Sequence, residues 1–422
     1  MEIKIIDSIM GSGKTSAAIN YMNEDLSKSF IYITPYLDEV ERVISSCNSE
    51  RCFGDRISND DVCESLNVIN GFVQPDLSKG SKTRSLKSLI KRGACIATTH
   101  AMFNNFDDEI MELISSKGYE LILDEAANVV QPYGDIKKSD KDLLFENFLK
   151  VGDKGQLTWT DSTYDGKFNE IKRLCELGSL CCYGEKTLML WLMPVKAFSC
   201  FNKVTILTYM FEGQLQKYYY DLYNINYSYG IAYKNKLGKY CFKDVETPVK
   251  QTINSSLIEI LENETLNKIG VGDRFLSKAS YERFKKNGTI SCLKTNCENY
   301  VRHIVNCKSD EVAWTCFKDY KALVKGKGYT KGFIPSNMRA SNEYRTRNVG
   351  MYLVNIYVNP VITNFFSLYD VHINQEAYAL SEMIQWIWRL AIRDGKPIKL
   401  YIPSKRMRDL LKNWLKNFSE TP

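Results

Sequence analysis

Short apolar runs alternate with amphipathic stretches along most of the chain. Ile3-Lys4-Ile5-Ile6-Asp7 reads as a strand, followed by a Gly/Ser segment and a helical pattern from Thr15 to about Leu26. A second strand, Phe30-Ile31-Tyr32-Ile33, gives way to a turn at Thr34-Pro35 and a helix over Asp38 to Ser46. Buried-type strands recur at Cys95–Thr98, Leu121–Asp124 and Val204–Leu207. Strands alternating with helices predict an α/β fold with mostly parallel sheets, with ligands at the carboxyl ends of the strands.

Residues 1–215 hold one full set of such units. Between Gln214 and Lys250 the texture turns Tyr-rich, with Tyr218-Tyr219-Tyr220, and reads as the passage between domains. The second half resumes the alternation. Strands are expected near Val312–Thr315, Gly350–Val354 and Ile398–Ile402, a helix over Ala377 to Arg393, and a last helix from Lys405 to Phe418. Two domains, 1–215 and 216–422, are therefore expected. No solenoid-period repeat and no low-complexity tract interrupts them.

Composition agrees with a folded chain. Its 422 residues, 44% hydrophobic and 25% charged, suffice for two to three domains with real cores. The net charge of +6 comes from 56 Lys and Arg against 50 Asp and Glu, which permits a polyanionic partner through a local groove. The 13 cysteines are odd in number and form no paired CxxC set. With only His100, His303 and His372 beside them, they argue for reduced thiols in a cytosol and against a zinc site. No apolar run approaches the roughly 18 residues that span a bilayer. A soluble protein of the cytoplasm is expected (the host's cytoplasm if the chain is viral), with no membrane partner.

The chemistry begins at the first turn. Ser8-Ile9-Met10-Gly11-Ser12-Gly13-Lys14-Thr15 stands between a strand and a helix, the setting of a phosphate-binding loop. Met10, Gly11, Ser12, Gly13, Lys14, Thr15 and Ser16 are its candidate nucleotide contacts. Lys14 would reach the β/γ-phosphates and the Thr15 hydroxyl a Mg²⁺ ion. Ser8 occupies the place where the motif usually has Gly. The partner segment is Leu121-Ile122-Leu123-Asp124-Glu125-Ala126-Ala127. There Asp124 would hold the metal, and Glu125 would orient or deprotonate the attacking water. ATP and Mg²⁺ are thus the expected cofactors. Asp124 follows Lys14 by 110 positions, more room than small nucleoside kinases use.

From these motifs onward the chain resembles the superfamily 2 helicases. Thr34-Pro35-Tyr36 looks like motif Ia, and Ala97-Thr98-Thr99-His100 like the next strand-contacting motif. Asp124-Glu125-Ala126-Ala127 is a relative of the DEAD/DEAH box. Leu207-Thr208-Tyr209-Met210-Phe211 sits where the family has a Ser/Thr-Ala-Thr coupling motif, and departs from it at Tyr209 and Met210. Asn337-Met338-Arg339-Ala340-Ser341-Asn342-Glu343-Tyr344-Arg345 resembles motif V. Gln385-Trp386-Ile387-Trp388-Arg389-Leu390-Ala391-Ile392-Arg393 resembles motif VI, with Trp388 in place of Gly and the second Arg one position late. An i, i+4 spacing is expected to put Arg389 and Arg393 on one helix face, with Arg389 favoured as the finger on the γ-phosphate. Taken whole, the run resembles predicted DEAD-box helicases of tailed bacteriophages, related to viral replication-origin-binding helicases.

The resemblance implies two RecA-like P-loop NTPase domains with ATP hydrolysed between them, and Lys14, Asp124, Glu125, Gln385, Arg389 and Arg393 as the catalytic set. It implies an ATP-dependent helicase or translocase in phage DNA replication or recombination, with replication proteins as possible partners. Nucleic-acid contacts are expected from Thr34, Pro35, Thr98, Thr99, His100, Arg339 and Asn342, aided by the basic run Lys79 to Arg92 and the loop Lys325 to Tyr329. Single-stranded DNA ranks ahead of RNA. Two alternatives stay open: an origin-binding or regulatory ATPase that uses ATP as a switch, and a packaging-type ATPase. The latter needs a nuclease carboxylate cluster that the second half does not show.

Overall fold

The apolar runs of the first half become strands of one sheet. They are Glu2–Asp7 (β1), Phe30–Thr34 (β2), Phe72–Val73 (β3), Cys95–Thr99 (β4) and Glu120–Asp124 (β5). The computed structural model describes residues 1–51, 71–134, 136–184, 188–249, 253–338 and 343–418. Three more strands join the sheet: Lys203–Thr208 (β11), Ser228–Lys234 (β12) and Tyr240–Val245 (β13), giving the order β13-β12-β1-β11-β5-β2-β4-β3. Only the β12–β13 pairing is antiparallel. Every residue of β2 and β5 is buried, as a parallel sheet covered on both faces requires. Helices α1 (Lys14–Glu24) and α2 (Leu37–Arg51) cover one face through Ala17, Ala18, Met22, Val40 and Val43, against Ile6, Tyr32, Ile122 and Leu207.

Register decides what meets at the carboxyl edge. Asp7 pairs with Thr208, Leu207 with Asp124, Ile33 with Leu123 and Thr34 with Thr99. Asp124, Thr34 and Thr99 therefore stand in one row at the carboxyl edge, and Asp7 and Thr208 stand one residue further along on the next two strands.

Residues between β5 and β11 form structure that the sequence pattern did not announce. Val130–Pro132 (β6), Leu180–Tyr183 (β9) and Leu188–Leu192 (β10) make an antiparallel sheet in the order β6-β10-β9, and Leu149–Val151 (β7) pairs with Leu157–Trp159 (β8) as a hairpin. Strands of three to five residues are too short to show a clear period.

The Tyr-rich stretch is not a passage between domains. Leu215–Leu222 is a helix whose Tyr219 and Tyr220 are fully buried. The Tyr220 ring lies 5.6 Å from Phe198, 6.0 Å from Phe211 and 5.9 Å from Tyr227. Beyond it β12 takes the open edge of β1. The first compact unit accordingly comprises Met1–Ser8, Ser12–Val249 and Asn359–Ile373, so it runs past the boundary expected at 215. Aromatic density signalled a core there.

The second unit comprises Ile9–Gly11, Lys250–Val358 and Asn374–Pro422. Its sheet is parallel throughout: Ile258–Ile260 (β14), Val312–Thr315 (β15), Val349–Tyr352 (β16) and Ile398–Tyr401 (β17), in the order β14-β17-β16-β15. One face packs Tyr281, Leu293, Trp314, Tyr329, Met351 and Tyr401. On the other, the helix Gln375–Ile387 brings Trp386 to 5.4 Å from Tyr352, above Gly350, where a β-carbon would lie 2.7 Å from Leu400. The α/β class with mostly parallel sheets is as expected. Among the described residues, no helix is long and apolar enough to cross a membrane.

Removing the Tyr220 ring should open a cavity in the first unit. Tyr220→Ala is expected to lower the unfolding free energy by about 3–5 kcal/mol, read from urea denaturation. A loss under about 1 kcal/mol would mean that the site collapses without cost.

Candidate functional site

After β1 the chain turns through two left-handed glycines, Gly11 at φ +86° and Gly13 at φ +87°. A β-carbon is costly in that region, which explains Gly at these two places. Gly13 caps α1 without any side-chain hydrogen bond, and the first turn of α1 carries no acidic residue. The helix start thus presents amide groups and positive dipole to an anion. Lys14 donates its ammonium to the Ser8 carbonyl and so stays folded along the loop. Ser8 itself is buried. Its amide donates to Thr208 O at 3.0 Å, and its hydroxyl accepts the Ala232 amide at 3.0 Å. The Ser that replaces the usual Gly satisfies β12 where that strand outruns β1.

Asp124 ends β5 with its carboxylate buried, and Oδ2 accepts the Tyr32 hydroxyl at 2.9 Å. Burial, then the nearby Glu125 and Glu39 carboxylates, push its pKa up to about 7, against the pull of Tyr32 and Lys14. Glu125 follows at φ +66°, a strained conformation for a residue with a β-carbon. Three contacts hold this backbone. Glu125 N donates to Leu207 O at 2.9 Å, the His100 ring Nε2 lies 2.8 Å from Asp124 O, and Ala127 N donates to Gln216 Oε1 at 2.8 Å.

Four side-chain oxygens in this part of the first unit are buried without a hydrogen-bond partner: Ser12 Oγ, Thr34 Oγ1, Glu125 Oε2 and Thr208 Oγ1. Buried polar atoms ordinarily find partners, so orphans in the phosphate loop and at three neighbouring strand ends fit a site that a ligand completes. The donors expected for a cation, the Asp124 carboxylate and the Thr15 hydroxyl, are hard oxygens of the kind that suits Mg²⁺. Among the described residues no group of three or more His, Cys, Asp or Glu could hold a metal by itself. Phosphate oxygens and water would complete the shell, the usual case for Mg²⁺.

Sequence reading missed Asp7, Tyr32 and Gln216. Asp7 is buried, with Oδ1 accepting Met210 N and Oδ2 accepting Phe211 N, both at 2.9 Å. Burial raises its pKa, while these two bonds and Lys14 lower it. Its carboxylate thereby fixes the loop after β11, in which Met210 is left-handed at φ +56°. The available signal was an acid ending an apolar strand directly before the glycine loop.

The remaining expected residues are placed as follows. Thr34 and Thr98 are buried in their strands, whereas Pro35, Thr99 and His100 are half-buried and reach the surface. The basic run lies on the helix Lys82–Lys91 and is partly consumed internally: Lys87 pairs with Asp107 at 2.7 Å and Glu109 at 2.6 Å. Tyr329 is core, its hydroxyl donating to Val324 O at 2.6 Å. Arg339 and Asn342 lie outside the described residues. In the second unit Gln385 and Arg389 are buried and Arg393 is half-buried.

The helix expected to run to Arg393 ends at Ile387. Leu390 is extended, and Ala391–Asp394 forms a separate short turn whose Ala391 amide donates to Arg347 O at 2.9 Å. Arg389 and Arg393 therefore do not share a helix face. An i, i+4 argument holds only inside a continuous helix.

Comparison with known proteins adds relatives. The chain is similar to the SPbeta prophage-derived uncharacterized protein YonV of Bacillus subtilis (strain 168), at 39% identity over 428 residues that cover 98% of this chain and 99% of that one. Residues 251–415 match the YonV C-terminal Rossmann-like domain and residues 130–191 the YonV middle domain. The first match spans β14 to β17, and the second spans the antiparallel sheet and hairpin. Among solved structures, an XPD helicase aligns with TM-score 0.46 and 11% identity over 99% of this chain and 94% of that one. S. tokodaii Xpd4 aligns with TM-score 0.45 and 12% identity over 99% and 95%. Likeness at that level says nothing about activity.

The raised pKa of Asp124 gives a pH signature. Its folded value exceeds the ordinary 3.8, so the native state holds the proton more tightly than the unfolded chain does. Stability is then lost as pH rises from about 4 to about 7, and stays lower above that. Asp124→Asn cannot ionise. Its melting temperature should exceed that of the wild type at about pH 8, with the gap closing toward about pH 4. Equal melting temperatures across that range would contradict a buried, destabilised carboxylate.

Proposed function

The chain belongs to the YonV family, and from that premise and the loop after β1 we propose an ATP-hydrolysing nucleic-acid motor of the superfamily 2 type. The observation that carries this reading is the uncapped start of α1 with Lys14 folded on its loop, together with a carboxyl edge where Glu125 keeps an unpartnered oxygen. In this reading Met10 to Ser16 hold the phosphates, and Lys14 neutralises the β/γ charge. Thr15 and Asp124 would hold Mg²⁺, which would supply further charge neutralisation. Glu125 orients water and takes its proton as the bond from the γ-phosphorus to the ADP oxygen breaks, leaving ADP and phosphate. His100, Gln216 and the Leu207 carbonyl keep that carboxylate aimed by fixing the backbone beside it.

Two RecA-like domains are part of the proposal, as is strand contact through Thr34, Pro35, Thr98, Thr99, His100, Arg339 and Asn342. Gln385, Arg389 and Arg393 enter through the likeness of their segment to motif VI, with Arg389 preferred as the finger. A place in phage DNA replication or recombination in the bacterial cytoplasm, with single-stranded DNA as substrate, completes the proposal; the prophage origin of the relative bears on its phage setting alone.

Phosphate release measured with and without single-stranded DNA or RNA tests the motor. Stimulation by polynucleotide that disappears in Lys14→Ala is expected. Hydrolysis indifferent to any polynucleotide would sink it, and stimulation without strand displacement would point to a nucleotide switch instead. Glu125→Gln should keep ATP affinity while turnover falls about 10²–10⁴-fold. Retained turnover would remove Glu125 from its role.

A further inference from the structure

The hairpin β12–β13 does more than extend the sheet. β12 pairs with β1 up to Ile6↔Gly230 and then runs on to Lys234, which pairs with Tyr240 at the hairpin end. The hairpin therefore rises beyond the carboxyl end of β1, on the side where the glycine loop lies. There the Tyr240 ring rests on Gly13: a β-carbon on that glycine would lie 2.3 Å from Cδ1 and Cε1 of the ring. The backbone at Tyr240 is tied to α1, because Asn20 Nδ2 donates to Tyr240 O at 2.8 Å. Beside the ring opens a cavity of about 280 Å³ that runs along α1, from Tyr240, Ala17 and Asn20 to the charged side chains of Lys4, Glu24 and Lys203 at its far end. That is close to the lower end of the about 300–1,000 Å³ typical of ligand pockets.

An aromatic ring in contact with a phosphate loop, with a small cavity alongside, has the parts of a base platform. We propose that Tyr240 and the end of this cavity at Ala17 and Asn20 take the base of the nucleoside triphosphate whose phosphates the Gly11–Thr15 loop holds, which rests on the phosphate-loop reading above. The base stacks on the Tyr240 ring, an interaction open to any base because each has a π-face. The Lys234 ammonium, 5.6 Å from the ring centroid, is the flexible neighbour that gives way. Gly13 is then required twice, for its left-handed φ and for the approach of the ring. The same contact accounts for a hairpin that projects past its sheet instead of ending level with it.

Competition binding with a fluorescent ATP analogue, with Mg·ATP and Mg·tripolyphosphate as competitors, separates base from phosphates. The wild type should bind ATP at least about tenfold more tightly than tripolyphosphate. Equal affinity would overturn the proposal without any variant. Tyr240→Leu keeps apolar bulk on Gly13 but no π-face, and should lose about tenfold for ATP with tripolyphosphate unchanged, while Tyr240→Phe keeps both. Equal weakening of both ligands in Tyr240→Leu would mean that the ring merely props the loop, and no weakening of either would also overturn the role. Lys14→Ala should weaken both ligands. If the wild type binds neither, the phosphate-loop reading fails, and the Tyr240 role falls with it.

Discussion

A carboxylate buried at the end of an all-apolar strand is the constraint on which the first unit turns. Asp124 cannot be withdrawn from β5, because every residue of that strand is buried between neighbours on both sides. The fold meets the cost of burying it with one hydroxyl, from Tyr32, and leaves its pKa near 7. Contacts that a stability argument alone would not demand gather on the backbone beside it. His100, Gln216 and the Leu207 carbonyl hold the Asp124–Ala127 segment from three directions and keep Glu125 in a left-handed conformation. Such strain persists where the surroundings over-determine it, and it collects at functional sites.

The same carboxyl edge links the glycine loop to the loop after β11. Asp7 and Thr208 are register partners, and the Asp7 carboxylate closes the β11 loop with two backbone hydrogen bonds. Ser8, the next residue, reaches the opposite way to β12. Two consecutive side chains before the loop thus anchor its start to the chain on either side of β1. Unpartnered hydroxyls at Ser12, Thr34 and Thr208 lie in that loop and at two strand ends of the same edge.

Much of this was legible in the sequence, and the failures have physical causes. The β1, β2, β4, β5 and β11 strands, and those of the second unit near Trp314, Met351 and Leu400, were visible because parallel strands buried on both faces read as unbroken apolar runs. The glycine loop was visible because positive φ restricts residue choice. The Tyr218–Tyr220 stretch was misread because Tyr serves core and surface alike, and only packing shows that Tyr219 and Tyr220 are fully enclosed. The helix expected to reach Arg393 stops at Ile387 although no Gly or Pro marks the end. The next turn bonds to Arg347, a tertiary contact that no local signal carries. Asp7, Tyr32 and Gln216 were missed for a related reason: their partners lie 203, 92 and 89 positions away, and only the tertiary fold brings them together.

The central claim is that the loop after β1 and the buried edge at Asp124 form one Mg·nucleotide site. Calorimetric titration with a non-hydrolysable ATP analogue and Mg²⁺, at about pH 6 in two buffers of different ionisation enthalpy, tests it most directly. A metal on Asp124 must displace any proton held there, so binding should require Mg²⁺, and the preformed Mg·nucleotide should release protons at about pH 6 that Asp124→Asn does not release, with the release fading by about pH 8. Binding that ignores Mg²⁺, or that releases no proton at about pH 6, would contradict the account.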